Sequence, residues 1–331
     1  MSSMTCLAVE HRCTGTNKST TTVFSVAGNG KEPITGGLDS DELTDKAFCP
    51  TPQGWLIVRD RLATVDTYLL DHHSHEKINL PPLAIDQDLL INCSCLLSDA
   101  PTAPGCVVLI VEPDAPIIRY HRIGVDDGWT EHEYDLGTQG DEIGGFEKIP
   151  MCETVACRGK FYFLSSPTEL GVLELSPAAA GPAFSSIAVD GESYNCGETA
   201  KAFLVESEEE LYMVRLLRSR DFNEANVYKM DFSEQQWRPV RDLGGRAFFV
   251  APLNFGVSCL AGDQYGVQEN CVYSLVKLSD KSFNMFNVED GATERRDIGE
   301  AYVSVEKHGI NLQHPILGTQ HRMLWMVPTS L

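Results

Sequence analysis

The sequence contains no long apolar run and few basic residues. No hydrophobic stretch approaches the roughly 18 residues of a membrane-spanning helix, and residues 1–26 lack the apolar core of a secretory signal peptide. Lys and Arg number 26 against 47 Asp and Glu, which gives a formal net charge of −21. Because such a charge repels nucleic-acid phosphates and anionic lipid, neither nucleic acid nor a membrane is predicted as a partner. The same charge favours solubility and attracts proteins with basic patches.

The 11 cysteines lack the spacing of a disulfide framework. Their number is odd, and several lie in apolar runs, where a reduced thiol packs as a small hydrophobic group. Cys93 and Cys95, and likewise Cys152 and Cys157, are interpreted as packing residues rather than zinc ligands. The pattern predicts a reduced intracellular protein, cytoplasmic and/or nuclear. Organellar targeting is the alternative, because residues 1–31 contain a single acid among many Ser and Thr.

Helical periodicity is also scarce, and short apolar or alternating runs take its place. The runs are separated by Gly, Pro, Asp and Asn, which is typical of an all-β protein. Five of them share one pattern, a turn residue followed by a hydrophobic strand, and begin at residues 54, 105, 159, 210 and 270. The spacings of 51, 54, 51 and 60 residues match the blades of a kelch-like β-propeller.

The repeats predict a single propeller domain over residues 1–331. Residues 51–299 hold the repeated blades, residues 1–50 supply strands to a closing blade, and residues 300–331 contain its last strand. Strands at residues 7–9 and 22–26 are expected to pair with the apolar run at 321–328, because this pairing removes the exposed edges of the ring. About six blades are expected, with seven as the alternative.

Motifs along almost the whole chain resemble those of a known family. They are Thr51–Trp55, Lys77–Leu83, Cys95–Pro101, Gly159–Phe163, Leu204–Ser207, Val227–Phe232, Leu243–Phe249 and Leu324–Thr329. In this order they resemble the plant KIB-type β-propeller family, an F-box-associated domain of unknown function that is numerous in cereals. The resemblance implies a propeller that presents substrates to a ubiquitin ligase in members with an F-box, and that recognises a kinase in some members. It implies no catalytic residue.

The sequence departs from the F-box-containing members before Gly54. An F-box would be a helical segment that opens on a Leu-Pro pair, whereas this region has the pattern of strands and a Gly-rich loop. A propeller-only member is therefore expected.

Two polar clusters have residue types that are also found in metal or catalytic sites. His72, His73 and His75 crowd one short loop, for which a solvated hairpin turn is favoured over a metal site. The acidic run at 206–210 lies between two strands and is interpreted as a turn facing water rather than as paired catalytic carboxylates. Ser258 lacks the glycine pattern of a nucleophile elbow. No catalytic residue, metal ligand or cofactor is predicted.

Three residues are candidates for partner binding. Trp129 and Trp237 lie beside charged or turn residues, where a tryptophan either anchors an interface or pins the edge of a blade. Arg246 follows two glycines and is expected to project toward the central face of the propeller.

The predicted function is a non-enzymatic propeller that binds a partner protein, by family resemblance a kinase or another client, in competition with F-box-containing relatives. The first alternative is the substrate-recognition subunit of an SCF-type ubiquitin ligase. The second is a propeller enzyme, whose sign would be a cluster of inward carboxylates or histidines around the channel.

Overall fold

The described part of the chain consists almost entirely of β-strands. The computed structural model describes residues 6–13, 19–26, 40–60, 66–140, 145–176, 181–189, 199–217, 224–253, 255–262, 266–275, 282–297 and 319–326. Two short helices occur in these ranges, α1 (Ser40–Leu43) and α2 (Gln87–Leu90). No helix within them is long and apolar enough to cross a membrane.

A hairpin precedes two four-stranded sheets, called blades 1 and 2. The hairpin consists of β1 (Cys6–Cys13) and β2 (Ser19–Ser25). Blade 1 runs from its innermost strand outwards as β3 (Lys46–Pro50), β4 (Trp55–Asp60), β5 (Thr67–Asp71) and β6 (Lys77–Leu80). Blade 2 has the same order, with β7 (Ser94–Leu97), β8 (Val107–Val111), β9 (Ile117–Arg122) and β10 (Thr130–Glu133).

Blades 3 and 4 repeat this antiparallel order. A small separate hairpin of β11 (Thr138–Gly140) and β12 (Phe146–Lys148) leads into blade 3. Blade 3 consists of β13 (Val155–Cys157), β14 (Lys160–Ser166), β15 (Glu169–Glu174) and β16 (Ala183–Ala188). Blade 4 consists of β17 (Thr199–Ser207), β18 (Glu210–Leu217), β19 (Ala225–Asp231) and β20 (Gln236–Val240).

Blade 5 contains an additional strand. Its members are β21 (Arg246–Ala251), β22 (Phe255–Leu260), β23 (Cys271–Ser274), β24 (Ser282–Asn287) and β25 (Thr293–Asp297). The innermost strand is β22, which contacts β17 of blade 4. β21 lies between β22 and β23, antiparallel to the first and parallel to the second. β21 is the additional strand. It precedes the repeat start at residue 270 and accounts for the longer spacing of 60 residues before that start.

The two ends of the described chain form the closing sheet. β26 (Thr319–Met326) pairs antiparallel with β1, in a register from Cys6 opposite Met326 to Cys13 opposite Thr319. The sheet order is β2-β1-β26, and β26 contacts β21 of blade 5 and β3 of blade 1. The predicted pairing of the two ends is confirmed.

The expected number of about six blades is wrong, because the described part of the chain forms five. Each repeat start falls at the beginning of one strand, the second of its sheet in blades 1 to 4 (β4, β8, β14 and β18) and the third in blade 5 (β23). The terminal segments contain no such start. They supply a sheet of three described strands, one fewer than the shortest blade.

Apolar clusters fill each seam between neighbouring blades. β8 is buried along its whole length because its two faces contribute to different seams, Val108 and Ile110 to one and Val107 and Leu109 to the other. This explains why the second strands have continuous apolar runs rather than alternating ones. Each fully buried large side chain contributes roughly 2–3 kcal/mol of transfer free energy. The aromatic residues after the repeat starts lie in these seams: Trp55, Tyr162, Tyr212 and Tyr273.

Candidate functional site

A cavity of about 490 Å³ opens where the innermost strands of blades 1 to 4 end. The turns that follow β3, β7, β13 and β17 supply its walls, together with the β5–β6 turn of blade 1. We call it the acidic cavity. Among its described lining residues the carboxylates are Asp71, Glu76, Asp99, Glu206 and Glu209, and the cation is Arg158.

The turn backbones hold several of these carboxylates in place. Asp71 accepts hydrogen bonds from the amide of His73 and the hydroxyl of Ser74, both at 2.9 Å. The carboxylate of Glu206 accepts a hydrogen bond of 2.7 Å from the Glu209 amide. Burial nevertheless raises the pKa of Glu206, and the charge of Glu209 adds to the rise. The cavity therefore concentrates fixed negative charge.

Two tight turns place charged residues in the left-handed region at the rim. Arg158 has a φ of 51° and is followed by Gly159, and Glu208 and Glu209 have φ values of 54° and 61°. Two-residue hairpin turns of this type favour Asn and Gly, since side chains with a Cβ are strained there. Arg158 donates from Nε to the carbonyl of Glu209 at 2.5 Å, which fixes one turn on the other. The rim is thus rigid before any partner binds.

Arg246 lies at the same end of the propeller. Its Nε donates to the Ser258 hydroxyl at 2.6 Å, and its Nη1 lies 3.3 Å from a carboxylate oxygen of Glu208. Ser258 also contacts Ser207 at 2.9 Å, so Arg246 ties blade 5 to the rim turn of blade 4. The guanidinium does not line the acidic cavity, and its role in partner binding stays a prediction.

The two candidate tryptophans have packing positions. Trp237 on β20 is 3% exposed and belongs to the seam between blades 3 and 4. Trp237 is therefore not a surface anchor, because almost none of its indole is exposed to a partner. Trp129 is half-buried, and its Nε1 donates to the carbonyl of Pro81 in the neighbouring blade at 2.9 Å. Both tryptophans therefore fit the other interpretation from the sequence, in which the side chain packs at the edge of a blade.

The histidine loop forms the β5–β6 turn, as expected, but it is only partly solvated. His72 is buried, and its Nδ1 lies 3.0 Å from the carbonyl of Gly54. Burial lowers the pKa of His72 to about 3. His75 is exposed and lies 3.0 Å from a carboxylate oxygen of Glu42. The expectation of a fully solvated turn is wrong for His72, because this first residue of the loop is buried against the turn that contains Gly54.

A second cavity, of about 570 Å³, opens at the opposite ends of the innermost strands. We call it the Glu153 cavity. Glu153 precedes β13, has a φ of 47°, and faces Lys201 on β17. The residue is half-buried as a whole, yet its Oε2 atom has no contact with solvent. Burial raises the pKa of Glu153 to about 8, against the opposing charge of Lys201.

The cysteine assignments hold for three of the four residues. Cys93, Cys95 and Cys157 are buried in seams between blades. Cys152 is exposed and lines the Glu153 cavity, so its interpretation as a packing residue is wrong.

Sequence reasoning missed Glu153 and the convergence of the acidic turns. Asp99 and Glu206 lie a few residues before the repeat starts at 105 and 210, and this common position is a signal for the acidic cavity. No comparable signal marks Glu153, because its burial depends on blades 3 and 4 together.

Comparison with solved structures finds weak similarities along most of the chain. A fungal alcohol oxidase in complex with copper has a TM-score of 0.40 at 11% identity, covering 89% of this chain and 65% of that one. YCF48 bound to a D1 peptide has a TM-score of 0.34 at 13% identity, covering 97% and 92%. An oligogalacturonate lyase in complex with manganese has a TM-score of 0.32 at 10% identity, covering 87% and 78%. At these scores neither chemistry nor partners carry over to this chain.

The sequence matches one family over most of its length. No curated protein sequence is similar to the chain. The family described as the KIB1-4 beta-propeller matches residues 26–302, a range that contains all five blades. The chain therefore belongs to the KIB1-4 β-propeller family.

Proposed function

We propose that the chain is a non-enzymatic interaction propeller that binds a partner protein by taking a basic segment into the acidic cavity. The propeller fold favours a protein-interaction scaffold. The observation that carries the proposal is the cavity itself, with five carboxylates and one cation among its described lining residues. A partner's Lys or Arg side chains would neutralise this charge, and complementary potentials steer association.

The rigidity of the rim supports tight recognition. Arg158 and Glu209 hold their turns together before binding, so little conformational entropy is lost when a partner docks. Burial is the largest cause of the raised pKa of Glu206, and a nearby cation would oppose this rise by stabilising the ionised form.

A propeller enzyme is the second candidate, since the acidic cavity is a cluster of inward carboxylates. The hydrogen bonds of these groups favour binding instead. Asp71 and Glu206 accept hydrogen bonds from their own turns, which hold these carboxylates in place as acceptors for the cations of a partner. A ligase substrate receptor is a further candidate, supported by the family resemblance alone.

The experiment is affinity purification from native tissue with the wild-type chain and two triple variants. Asp99→Asn, Glu206→Gln and Glu209→Gln together remove charge from the cavity. Glu224→Gln, Glu234→Gln and Glu289→Gln remove the same charge from exposed positions elsewhere. We expect the first triple variant to lose the partner and the second to keep it. Binding should weaken as salt rises, because charge attraction is screened over about 10 Å.

Three outcomes would change the conclusion. Equal loss in both triple variants would trace binding to net charge rather than to the cavity. Recovery of ligase scaffold subunits in stoichiometric amount would favour the substrate receptor, whereas recovery of a kinase or another client without them supports competition with F-box-containing relatives. Turnover of a recovered small substrate that the first triple variant abolishes would establish the enzyme.

A further inference from the structure

The outermost strand of blade 3 has an outer edge that no described element covers. β16 pairs on its inner side with β15, in a register from Ala188 opposite Glu169 to Ala183 opposite Glu174. No described strand pairs with its outer side. Its sequence is Ala-Phe-Ser-Ser-Ile-Ala, without charge and without proline. An edge of this kind offers a row of free backbone donors and acceptors to another strand.

The outer strands of the other four blades carry features that prevent such pairing. β6 has only four residues and includes a lysine. β10 also has four residues, two of which are Glu. β20 contains Pro239, which lacks an N–H group, and four of the five residues of β25 are charged. Charges and prolines at an edge oppose strand addition.

β2, at the edge of the closing sheet, is uncharged but covered. Ser19 donates its amide to the Asp45 carboxylate at 3.1 Å and accepts a hydrogen bond from the Asp45 amide at 3.3 Å. Helix α1 also contacts β2. Within the described ranges, β16 is thus the uncharged outer strand that no other element covers.

Side chains on both faces hold β16 in a fixed position. The ring of Phe184 lies 5.4 Å from that of Tyr134 and 6.4 Å from that of Phe163. Ile187, on the opposite face, packs in the seam between blades 3 and 4. Ser185 and Ser186 are exposed. The strand is therefore ordered before any partner arrives, which lowers the entropic cost of adding a strand.

We propose that β16 pairs antiparallel with β16 of a second copy of this chain, around a twofold axis at Ser186. Residues directly opposite each other in a sheet point to the same face, so this register places Phe184 opposite Ala188 and Ser185 opposite Ile187. Each large side chain then faces a small one, and no like charges meet. This self-complementarity is what a twofold interface requires of a single surface.

The dimer is independent of the proposed partner-binding function. β16 lies at the rim of blade 3, whereas the acidic cavity lies at the ends of the innermost strands. The two also respond to salt in opposite directions. Salt screens the repulsion between two chains of net charge −21 and strengthens the dimer, while binding of a basic partner weakens.

The test is sedimentation velocity of the purified chain over a range of protein and salt concentrations. We expect a monomer–dimer equilibrium with a roughly micromolar dissociation constant, since one strand edge buries less than the ~1,200 Å² of standard interfaces. Ser186→Lys places two ammonium groups at the axis and should weaken the dimer about fivefold. Thr130→Lys, the matched change on β10, should leave the equilibrium unchanged.

Far-UV circular dichroism and the unfolding midpoint check that both variants fold. A folded wild type that stays monomeric up to roughly 100 µM at every salt concentration would overturn the proposal. So would a dimer that persists in Ser186→Lys but dissociates on Phe146→Ser, because this result would place the contact on the exposed β11–β12 hairpin.

Discussion

Arg322 and Glu10, which are 312 residues apart in the chain, form a buried ion pair. Two nitrogens of Arg322 lie 3.0 Å from the Oε2 atom of Glu10, whose side chain is 3% exposed. The same guanidinium donates to the carbonyl oxygens of Phe48 at 2.9 Å and Ile91 at 2.5 Å. One side chain therefore joins the closing sheet to blade 1 and to the segment that leads into blade 2.

Replacing Arg322 by alanine should strongly destabilise the ring. The change leaves the Glu10 carboxylate buried without its guanidinium partner and removes a donor from the buried carbonyl of Phe48 and from the partly buried carbonyl of Ile91. Breaking a buried pair in this way costs about 3–5 kcal/mol. Urea unfolding followed by tryptophan fluorescence measures the loss.

Arg238→Ala is the matched control, because Arg238 pairs with Asp231 on the surface. It should shift the unfolding midpoint far less. If the two variants unfold at the same urea concentration, Arg322 does not hold the ends of the ring together.

The buried His72 should make the fold sensitive to mild acid. Burial lowers its pKa from the ordinary 6.5 to about 3, so the unfolded chain takes up a proton between these values and the folded chain does not. The free energy of unfolding should therefore fall as the pH drops from about 6.5 toward 3, by at most about 1.4 kcal/mol per pH unit from this group. Above pH 6.5 this contribution is complete.

His72→Asn keeps a donor near the Gly54 carbonyl and should lose this part of the pH dependence. The measurement is the difference in unfolding free energy between variant and wild type at pH 7 and pH 5. An identical pH profile for His72→Asn and wild type would contradict the assignment.

Glu153 should act in the opposite direction. Its pKa rises from 4.5 to about 8, so the folded chain keeps a proton that the unfolded chain loses above pH 4.5. Its contribution to stability is complete below pH 4.5 and is lost as the pH rises to about 8. Glu153→Gln should therefore be more stable than wild type at pH 8 by on the order of 2–4 kcal/mol. Glu234→Gln, at an exposed turn, provides the comparison.

Gly256 should not tolerate a side chain. A Cβ atom at this position of β22 would lie 2.1 Å from the carbonyl oxygen of Leu204 in the neighbouring blade. Gly256→Ala must push blades 4 and 5 apart and should cost roughly 3 kcal/mol or more. Gly128→Ala meets no atom within 4 Å and should change stability by less than about 1 kcal/mol. Thermal unfolding of both variants decides whether the seam is as tight as the distance implies.

The sequence pattern predicted the repeated strands because each repeat start begins an inner strand of its blade with residues buried on both faces. Val107–Val111 shows this most clearly, since in an all-β chain a continuous apolar run at a regular spacing indicates a strand that is covered on both faces. The predicted number of blades was too high because the terminal strands were counted as a sixth blade. They contain no repeat start and form a sheet of only three described strands. The parallel pairing of β21 with β23 was not predictable either, since a parallel neighbour leaves no local mark on a sequence.

The candidate site was harder to predict than the fold. Glu206 and Asp99 belong to turns of different blades, and local reasoning treated the acidic run at 206–210 as one isolated turn. Only the closed ring brings these turns to one cavity. Burial of His72 and Trp237 has the same cause, because neighbouring elements decide the exposure of both side chains.

The pairing of β1 with β26 sets an order of events during synthesis. At about 5–20 residues per second, the ribosome needs roughly 15–60 s to add the 312 residues that separate Glu10 from Arg322. During this interval β1 has its hairpin partner β2 but an open edge toward the missing β26. The ring closes only after translation has passed Met326, and β26 of a neighbouring nascent chain can occupy the edge first. Domain-swapped oligomers, in which β26 of one chain pairs with β1 of another, would therefore arise where nascent chains are crowded on a polysome.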